Sequence, residues 1–144
     1  MQLKSTLFAL FSTSALATTL STFAATEWTI DTLSRVCNGA DDSCTWKFGI
    51  NTNTDGVDIT PCTYTVKAVK PAPASQSNGG PVKCGVFTIT SGWSGQFGPD
   101  NGFTVISVVD YAKKLIVYAG YTDIAVGNGT AVDPNLSFPV QTLQ

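Results

Sequence analysis

The chain has 144 residues, with 8 Lys and Arg against 10 Asp and Glu, and only 12% of its residues are charged while 43% are hydrophobic. This length indicates one domain, and so few basic residues exclude a nucleic-acid binder that depends on a positively charged face. The hydrophobic fraction excludes intrinsic disorder, which needs low hydrophobicity and high net charge. His is absent and Glu27 is the only Glu, so most side chains used for acid–base catalysis are missing.

The first 24 residues have the pattern of a secretory signal peptide. Lys4 supplies a positive charge, an apolar run follows over residues 7–17, and small residues end the segment at Ala24 and Ala25. This order of regions is typical of a cleaved leader, and the apolar run is too short to cross a bilayer. We predict cleavage after Ala24, which leaves residues 25–144 as a single secreted β domain.

The rest of the chain predicts strands and no helices. Apolar residues alternate with polar or small ones, as at Trp46, Phe48 and Ile50, and a period of two is the pattern of half-buried strands. Asn-Gly and Asp-Gly pairs separate these segments and are typical turn formers. The predicted strands cover residues 28–37, 45–50, 63–68, 87–90, 103–109 and 115–121. Short strands at this spacing indicate an all-β fold, either an antiparallel β-barrel or a β-sandwich.

The four cysteines, Cys37, Cys44, Cys62 and Cys84, all follow the predicted signal peptide. An even number in an exported chain predicts two disulfides, and the absence of His and of a C-x-x-C pair disfavours zinc. Cys37 and Cys44 enclose a short polar loop, and Cys62 and Cys84 enclose the Pro-rich segment 71–81, which we expect to be exposed. If the flanking strands pair as hairpins, each pair can bond. The nested pairing, Cys37 with Cys84 and Cys44 with Cys62, stays open.

The sequence contains no convincing catalytic or metal-binding pattern. Asp41 and Asp42 form an acidic pair, but glycoside hydrolysis needs two carboxylates that face a cleft, and adjacent loop residues are normally solvated. Segment 51–56 begins like a calcium loop, yet Cys62 stands where that loop requires a bidentate Glu. We predict no catalytic residue, no metal site, no cofactor and no enzymatic activity.

Two aromatic residues, Trp93 and Phe97, lie in a loop of small residues and are candidates for surface recognition. Exposed aromatics on loops bind sugars or protein partners by stacking and burial, although burial is the commoner fate of large apolar side chains. If the loop faces solvent, we expect Lys113 and Lys114, in a predicted hairpin turn, to form a charged rim beside it.

Asn128 and Asn135 each begin an Asn-x-Ser/Thr sequon. In a secreted chain such sequons are acceptors for N-linked glycans. Both residues are therefore candidate glycosylation sites.

A further set of motifs runs through nearly the whole chain after the predicted signal peptide. It consists of WTI at 28–30, RVC at 35–37, DDSCTWKFGI at 41–50, TPCTYTV at 60–66, CGVFTIT at 84–90, GWSGQFG at 92–98 and VDYAKKLIVY at 109–118. This series resembles a family of small fungal secreted proteins whose members include hypersensitive-response-inducing elicitors from plant pathogens. The resemblance implies a disulfide-bonded β fold and activity as an elicitor sensed by plant cells, with no catalytic residue to transfer.

These observations favour a secreted, non-enzymatic fungal effector or elicitor that acts in the host apoplast. Its expected partner is a plant cell-surface receptor or a membrane component, and no nucleic acid is expected. The alternative is a carbohydrate-binding or cell-wall-associated protein that uses Trp93 and its neighbours to hold wall polysaccharide. A secreted hydrolase that works with Asp residues alone is a third possibility, and the missing His and the single Glu argue against it.

Overall fold

The computed structural model describes residues 26–144, so the predicted signal peptide, residues 1–24, lies outside the described residues. The described part forms nine strands, one short α-helix and one 3-10 turn at Ala74–Gln76. The strands are β1 (Glu27–Cys37), β2 (Ser43–Asn51), β3 (Thr60–Lys67), β4 (Gly79–Cys84), β5 (Phe87–Ser94), β6 (Phe103–Asp110), β7 (Leu115–Thr122), β8 (Leu136–Pro139) and β9 (Gln141–Thr142). Helix α1 is Asp123–Val126. The all-β prediction is confirmed.

The strands form two antiparallel sheets that pack face to face. One sheet has the order β3-β2-β1-β8 and the other has the order β4-β5-β6-β7-β9. Their buried side chains share one hydrophobic core, in which the Trp28 ring of one sheet meets the Phe87 ring of the other edge to face at 5.4 Å. Because neither sheet closes on itself, the fold is a β-sandwich and not a barrel.

The predicted alternation places the expected side chains in the core. Trp46, Phe48 and Ile50 of β2 are all buried, whereas Thr45 and Lys47, on either side of Trp46, are exposed. Trp46 also lies parallel to Tyr64 of β3, with ring centroids 6.4 Å apart. The apolar face that the alternation predicts for this strand is therefore the face that lies in the core.

The prediction of an exposed loop over residues 71–81 is correct only in part, because five of its eleven residues are exposed. Ala74 and Ser77 are buried, and the segment ends by entering strand β4. The distant Asp41 holds it in place, because its carboxylate accepts hydrogen bonds from the Ser75 backbone N–H at 2.9 Å and from the Ser75 hydroxyl. Gly79 lets β4 approach β3, since a Cβ there would lie 2.6 Å from Cγ2 of Val66.

Both disulfides have the pairing that the hairpin argument favoured, Cys37 with Cys44 and Cys62 with Cys84. Cys37 and Cys44 lie directly opposite each other in the β1–β2 hairpin. The reason given for the second pair was wrong, because Cys62 belongs to β3 and Cys84 to β4, which lie in different sheets. That bond therefore joins the two layers of the sandwich instead of closing a hairpin.

No helix within residues 26–144 combines the length and the apolar character needed to cross a membrane. Helix α1 has only four residues, and the Thr122 hydroxyl caps it by accepting a hydrogen bond from the Ala125 N–H at 3.2 Å. The prediction of no helices is therefore wrong at α1, because a helix of four residues is too short to show a 3.6-residue hydrophobic period.

Candidate functional site

Trp93 lies in strand β5 and not in the predicted loop, which covers residues 95–102 and folds back over the Trp93 side chain. The indole N–H of Trp93 donates a hydrogen bond to Oδ2 of Asp123 at 2.8 Å. Two glycines make this packing possible: a Cβ at Gly95 would lie 2.5 Å from Cη2 of the indole, and a Cβ at Gly102 would lie 2.9 Å from Cζ2. Trp93 is therefore half-buried, and its indole packs against the glycines near both ends of the loop.

Asp123 connects this loop to the first sheet. Its Oδ1 pairs with Nη1 of Arg35 at 3.0 Å, and the Arg35 side chain is only 6% exposed. The guanidinium lies 5.5 Å from the ring centre of Trp46, and its Nη1 also donates to the Ser75 carbonyl at 3.3 Å. A buried cation needs such partners, because an unpaired charge in the interior is strongly unfavourable.

Phe97 points away from this network into solvent. Its side chain is 66% exposed and stacks on Phe103, with ring centroids 5.8 Å apart. Ile124 at the start of α1 is exposed beside them, and together with Asp100, Asn101 and Thr122 these residues line a shallow depression of about 460 Å³. We call Phe97, Phe103 and Ile124 the Phe97 patch. Exposed apolar surface concentrated in this way is typical of interaction sites.

Hydrogen bonds within the loop hold the Phe97 patch in shape. The Asn101 side chain donates to the Phe97 carbonyl at 3.2 Å. The Gly98 N–H donates to the Gly95 carbonyl at 3.1 Å, and the Asn101 N–H donates to the Gly98 carbonyl at 3.1 Å. The loop is thus ordered by its own backbone as well as by Trp93.

Lys113 and Lys114 are exposed as expected, but they do not border the aromatic loop. They lie in the β6–β7 turn next to Asp110, whereas Phe103 begins β6 at the other end. At a rise of about 3.4 Å per residue, the two ends of this strand are roughly 24 Å apart. The expectation that the lysines form a rim around Trp93 and Phe97 is wrong.

The two sequon asparagines differ in their surroundings. Asn128 is exposed, and its Oδ1 accepts hydrogen bonds only from Thr130, at 2.7 Å from the hydroxyl and 3.2 Å from the N–H. Asn135 has both ends of its amide engaged, because Oδ1 accepts from the Thr32 N–H at 2.9 Å and Nδ2 donates to Asp31. Glycosylation of either residue stays a prediction.

The acidic pair Asp41 and Asp42 has a structural explanation. Asp41 orders residues 74–75, as described above, and Asp42 forms an exposed ion pair with Lys70 at 3.2 Å. Cys37 and Cys44 lie close to Asp41 in a group of the size that could hold a metal ion, but both sulfurs are consumed by their disulfide. None of these groups is arranged as a pair of carboxylates across a cleft.

Within residues 26–144, two buried tyrosines have clearly perturbed pKa values. Burial raises the pKa of Tyr64 to about 12, and the nearby Ser91 hydroxyl acts in the opposite direction with a smaller effect. Burial alone raises the pKa of Tyr121. Both phenols therefore stay protonated near neutral pH.

Comparison with known proteins identifies the family. A family model described as Effector TSP1 matches residues 29–143. The chain belongs to the Effector TSP1 family, a family of fungal effector proteins. It is also 57% identical over 112 residues to a protein named Effector TSP1 from Hypocrea virens (strain Gv29-8 / FGSC 10586), a match that covers 78% of this chain and 74% of that protein. The resemblance noted in the sequence is thus confirmed at the level of the family.

Sequence reasoning found Trp93 and Phe97 but missed the residues that position them. Arg35 and Asp123 were not singled out, although a single Arg in a strand of otherwise apolar inward positions is a detectable signal. Such an Arg requires a buried acid or a carbonyl partner. Its partner, 88 positions along the chain, could not be inferred without the fold.

Proposed function

We propose that this protein is a secreted, non-enzymatic effector that is recognised at the plant cell surface, and that the Phe97 patch is the surface in contact with the host receptor. Membership of the Effector TSP1 family supports the effector role. The assignment of the surface depends on one observation. Phe97 is 66% exposed, and its loop packs on Trp93, which is hydrogen-bonded to Asp123.

A rigid loop with an exposed aromatic residue suits protein recognition for two physical reasons. Aromatic side chains are enriched in the cores of protein interfaces and supply large contact areas. A loop that is already ordered loses little conformational entropy on binding, so more of the contact energy appears as affinity. Residues 95–102 meet both conditions through the hydrogen bonds of Asn101 and the packing around Trp93.

Secretion is supported by the two disulfides, which persist in oxidising extracellular environments. The pattern of residues 1–24 supports the same conclusion. A non-enzymatic role is supported by the absence of His and by the structural roles of Asp41 and Asp42.

The geometry gives less support to polysaccharide binding through Trp93. Sugar stacking requires an open aromatic face, whereas Trp93 is half-buried and its indole N–H is already bonded to Asp123. Phe97 is the aromatic side chain of this loop that remains available for stacking.

The proposal is tested by infiltrating leaves with purified protein made as the wild type, as Phe97→Thr and as Tyr118→Thr. Tyr118 is a suitable control because it is also an exposed aromatic residue, but it lies on the outer face of β7 away from the patch. We expect a defence response to the wild type and to Tyr118→Thr, and a response reduced at least tenfold for Phe97→Thr.

Unfolding temperatures of all three proteins establish that the variants are folded. Equal activity of Phe97→Thr and wild type would contradict the assignment of the surface. Wall binding would be favoured over host recognition by two results together. The wild type would give no leaf response, and it would sediment with chitin or cellulose while Phe97→Thr would not.

A further inference from the structure

A second concave site lies at the opposite end of the sandwich from the Phe97 patch. It is a cavity of about 320 Å³ enclosed by the start of β1, the β2–β3 loop, the β4–β5 turn and the β6–β7 turn. We call it the Asp110 pocket. Its volume is at the lower end of the range found for small-molecule sites, which is about 300–1,000 Å³.

The floor of the Asp110 pocket is apolar and preformed. The buried rings of Trp28 and Phe87 meet there edge to face and come from different sheets. Phe87 lies opposite Cys84 across the β4–β5 turn, and Cys84 is bonded to Cys62 of the other sheet. The disulfide therefore fixes the spacing between the two sheets beside the pocket.

The walls of the pocket are apolar side chains that the fold leaves exposed. Val57 and Val86 both line it, and they are 51% and 64% exposed. Each lies in a connection between strands, where polar residues are the usual choice. Core packing does not account for either valine.

One charged group is buried against this apolar surface. Asp110 is only 4% exposed and lines the pocket. Its Oδ1 accepts a hydrogen bond from the Lys113 N–H at 3.1 Å, so one of the two carboxylate oxygens has a structural role in forming the turn. Across residues 26–144, no side-chain or backbone donor makes a hydrogen bond to Oδ2, and the ion pairs of this part of the chain are Arg35–Asp123 and Lys70–Asp42.

A carboxylate has acceptors at both oxygens, and Oδ2 of Asp110 has no protein donor among the described residues, so it can accept a hydrogen bond from a molecule in the pocket. We propose that the Asp110 pocket binds a small apolar molecule that carries a hydrogen-bond donor, a hydroxyl or an amine, with the donor directed to Oδ2 of Asp110. The apolar body packs on Trp28 and Phe87 between Val57 and Val86. Lys113 also lines the pocket, but its side chain is exposed whereas Asp110 is buried, so we expect the carboxylate to disfavour an anionic head group.

Four probes with one aromatic ring test this assignment: 2-phenylethanol, 2-phenylethylamine, 3-phenylpropanoate and ethylbenzene. Each is titrated into ¹⁵N-labelled protein, and binding is read from saturable shifts of backbone amide signals. We expect the alcohol and the amine to shift the amides of Val57, Val86 and Asp110, and to bind at least tenfold more tightly than the propanoate or ethylbenzene.

Two variants separate the carboxylate from the apolar wall. Asp110→Asn keeps an oxygen for the Lys113 N–H and places an amide donor in the pocket. We therefore expect this variant to bind 3-phenylpropanoate more tightly than 2-phenylethanol, the reverse of the wild type. We expect Val86→Ser to lower the affinity for 2-phenylethanol severalfold. Val69→Ser is the control, because Val69 is equally exposed (65% against 64%) but lies outside the pocket, and we expect it to leave this affinity unchanged.

The proposal is overturned if no probe gives saturable shifts confined to the pocket. It is also overturned if the propanoate or ethylbenzene binds the wild type as tightly as the alcohol, because Asp110 would then not select a donor. The probe comparison on the wild type and the Val86→Ser result decide the matter even if Asp110→Asn does not fold. Leaf activity is not a readout here, so failure of this proposal is distinct from failure of the proposed host recognition.

Discussion

Trp93 donates its indole N–H to Asp123 at 2.8 Å, whereas Phe97, four residues further along the chain, is 66% exposed. With Trp93 held against the body of the protein, the glycine-rich loop closes over it and turns Phe97 outward onto Phe103. The same aspartate neutralises the buried Arg35. The exposed patch and the interior are therefore connected through one carboxylate.

Replacing Asp123 by Ala should lower the free energy of unfolding by about 3–5 kcal/mol, because it leaves Arg35 buried without its counter-ion. Urea denaturation measures this change. Asp133→Ala is the control, since Asp133 is exposed and such surface changes usually stay within about 0.5 kcal/mol. Equal stability of the two variants would show that the Arg35–Asp123 pair contributes nothing.

Trp46→Ala should destabilise the domain by about 3–5 kcal/mol, since it removes a buried aromatic side chain and leaves a cavity in the core beside Tyr64. The change also removes the surface under the Arg35 guanidinium. Thermal unfolding compared with the wild type is the measurement, and an unchanged melting temperature would contradict the inward placement of Trp46.

The two disulfides should contribute differently to the free energy of unfolding. The chain-entropy estimate predicts about 3 kcal/mol for Cys62–Cys84, with a sequence separation of 22, and about 2 kcal/mol for Cys37–Cys44, with a separation of 7. Unfolding of the double Ser variants of each pair gives both values. A larger loss for Cys37–Cys44 would mean that joining the two sheets matters less than closing the β1–β2 hairpin.

Stability should fall at alkaline pH in a way that depends on Tyr64. Its folded-state pKa of about 12 lies above the unfolded value of 10.0, so its contribution is complete below pH 10 and is lost as the pH rises to 12. The total loss from this one group is about 3 kcal/mol. Tyr64→Phe should remove that part of the decline, and the difference between the two stability curves over pH 9–12 is the measurement. Parallel curves would contradict the burial of this phenol as the cause.

Six of the nine strands were predictable from the alternation of side chains, whereas β4, β8 and β9 were missed. The inward face of β2 was also predictable, but that of β1 was not. Strand β1 contains a bulge between Asp31 and Ser34, where Thr32 adopts a φ of 46°. This extra residue changes which positions point inward, so that Leu33 and Arg35 follow Trp28 and Ile30 into the core. A period of two cannot reveal such a shift.

The candidate site could be predicted only in part, because the orientation of its side chains depends on contacts that the sequence pattern does not show. Trp93 and Phe97 stand out in the sequence, but the opposite orientations of their side chains depend on Gly95, Gly102 and the distant Asp123. The lysines were placed beside them incorrectly because distance along the chain does not show which end of a strand a turn occupies. Long-range partners of this kind come only from the fold.

The proposed host recognition is tested most directly by equilibrium binding of fluorescently labelled protein to plasma-membrane vesicles from leaves. We expect saturable binding of the wild type and of Tyr118→Thr with equal affinity. We expect binding at least tenfold weaker for Phe97→Thr, because loss of a central aromatic contact typically costs about 2 kcal/mol or more. Equal affinity of all three folded proteins for the vesicles would contradict it.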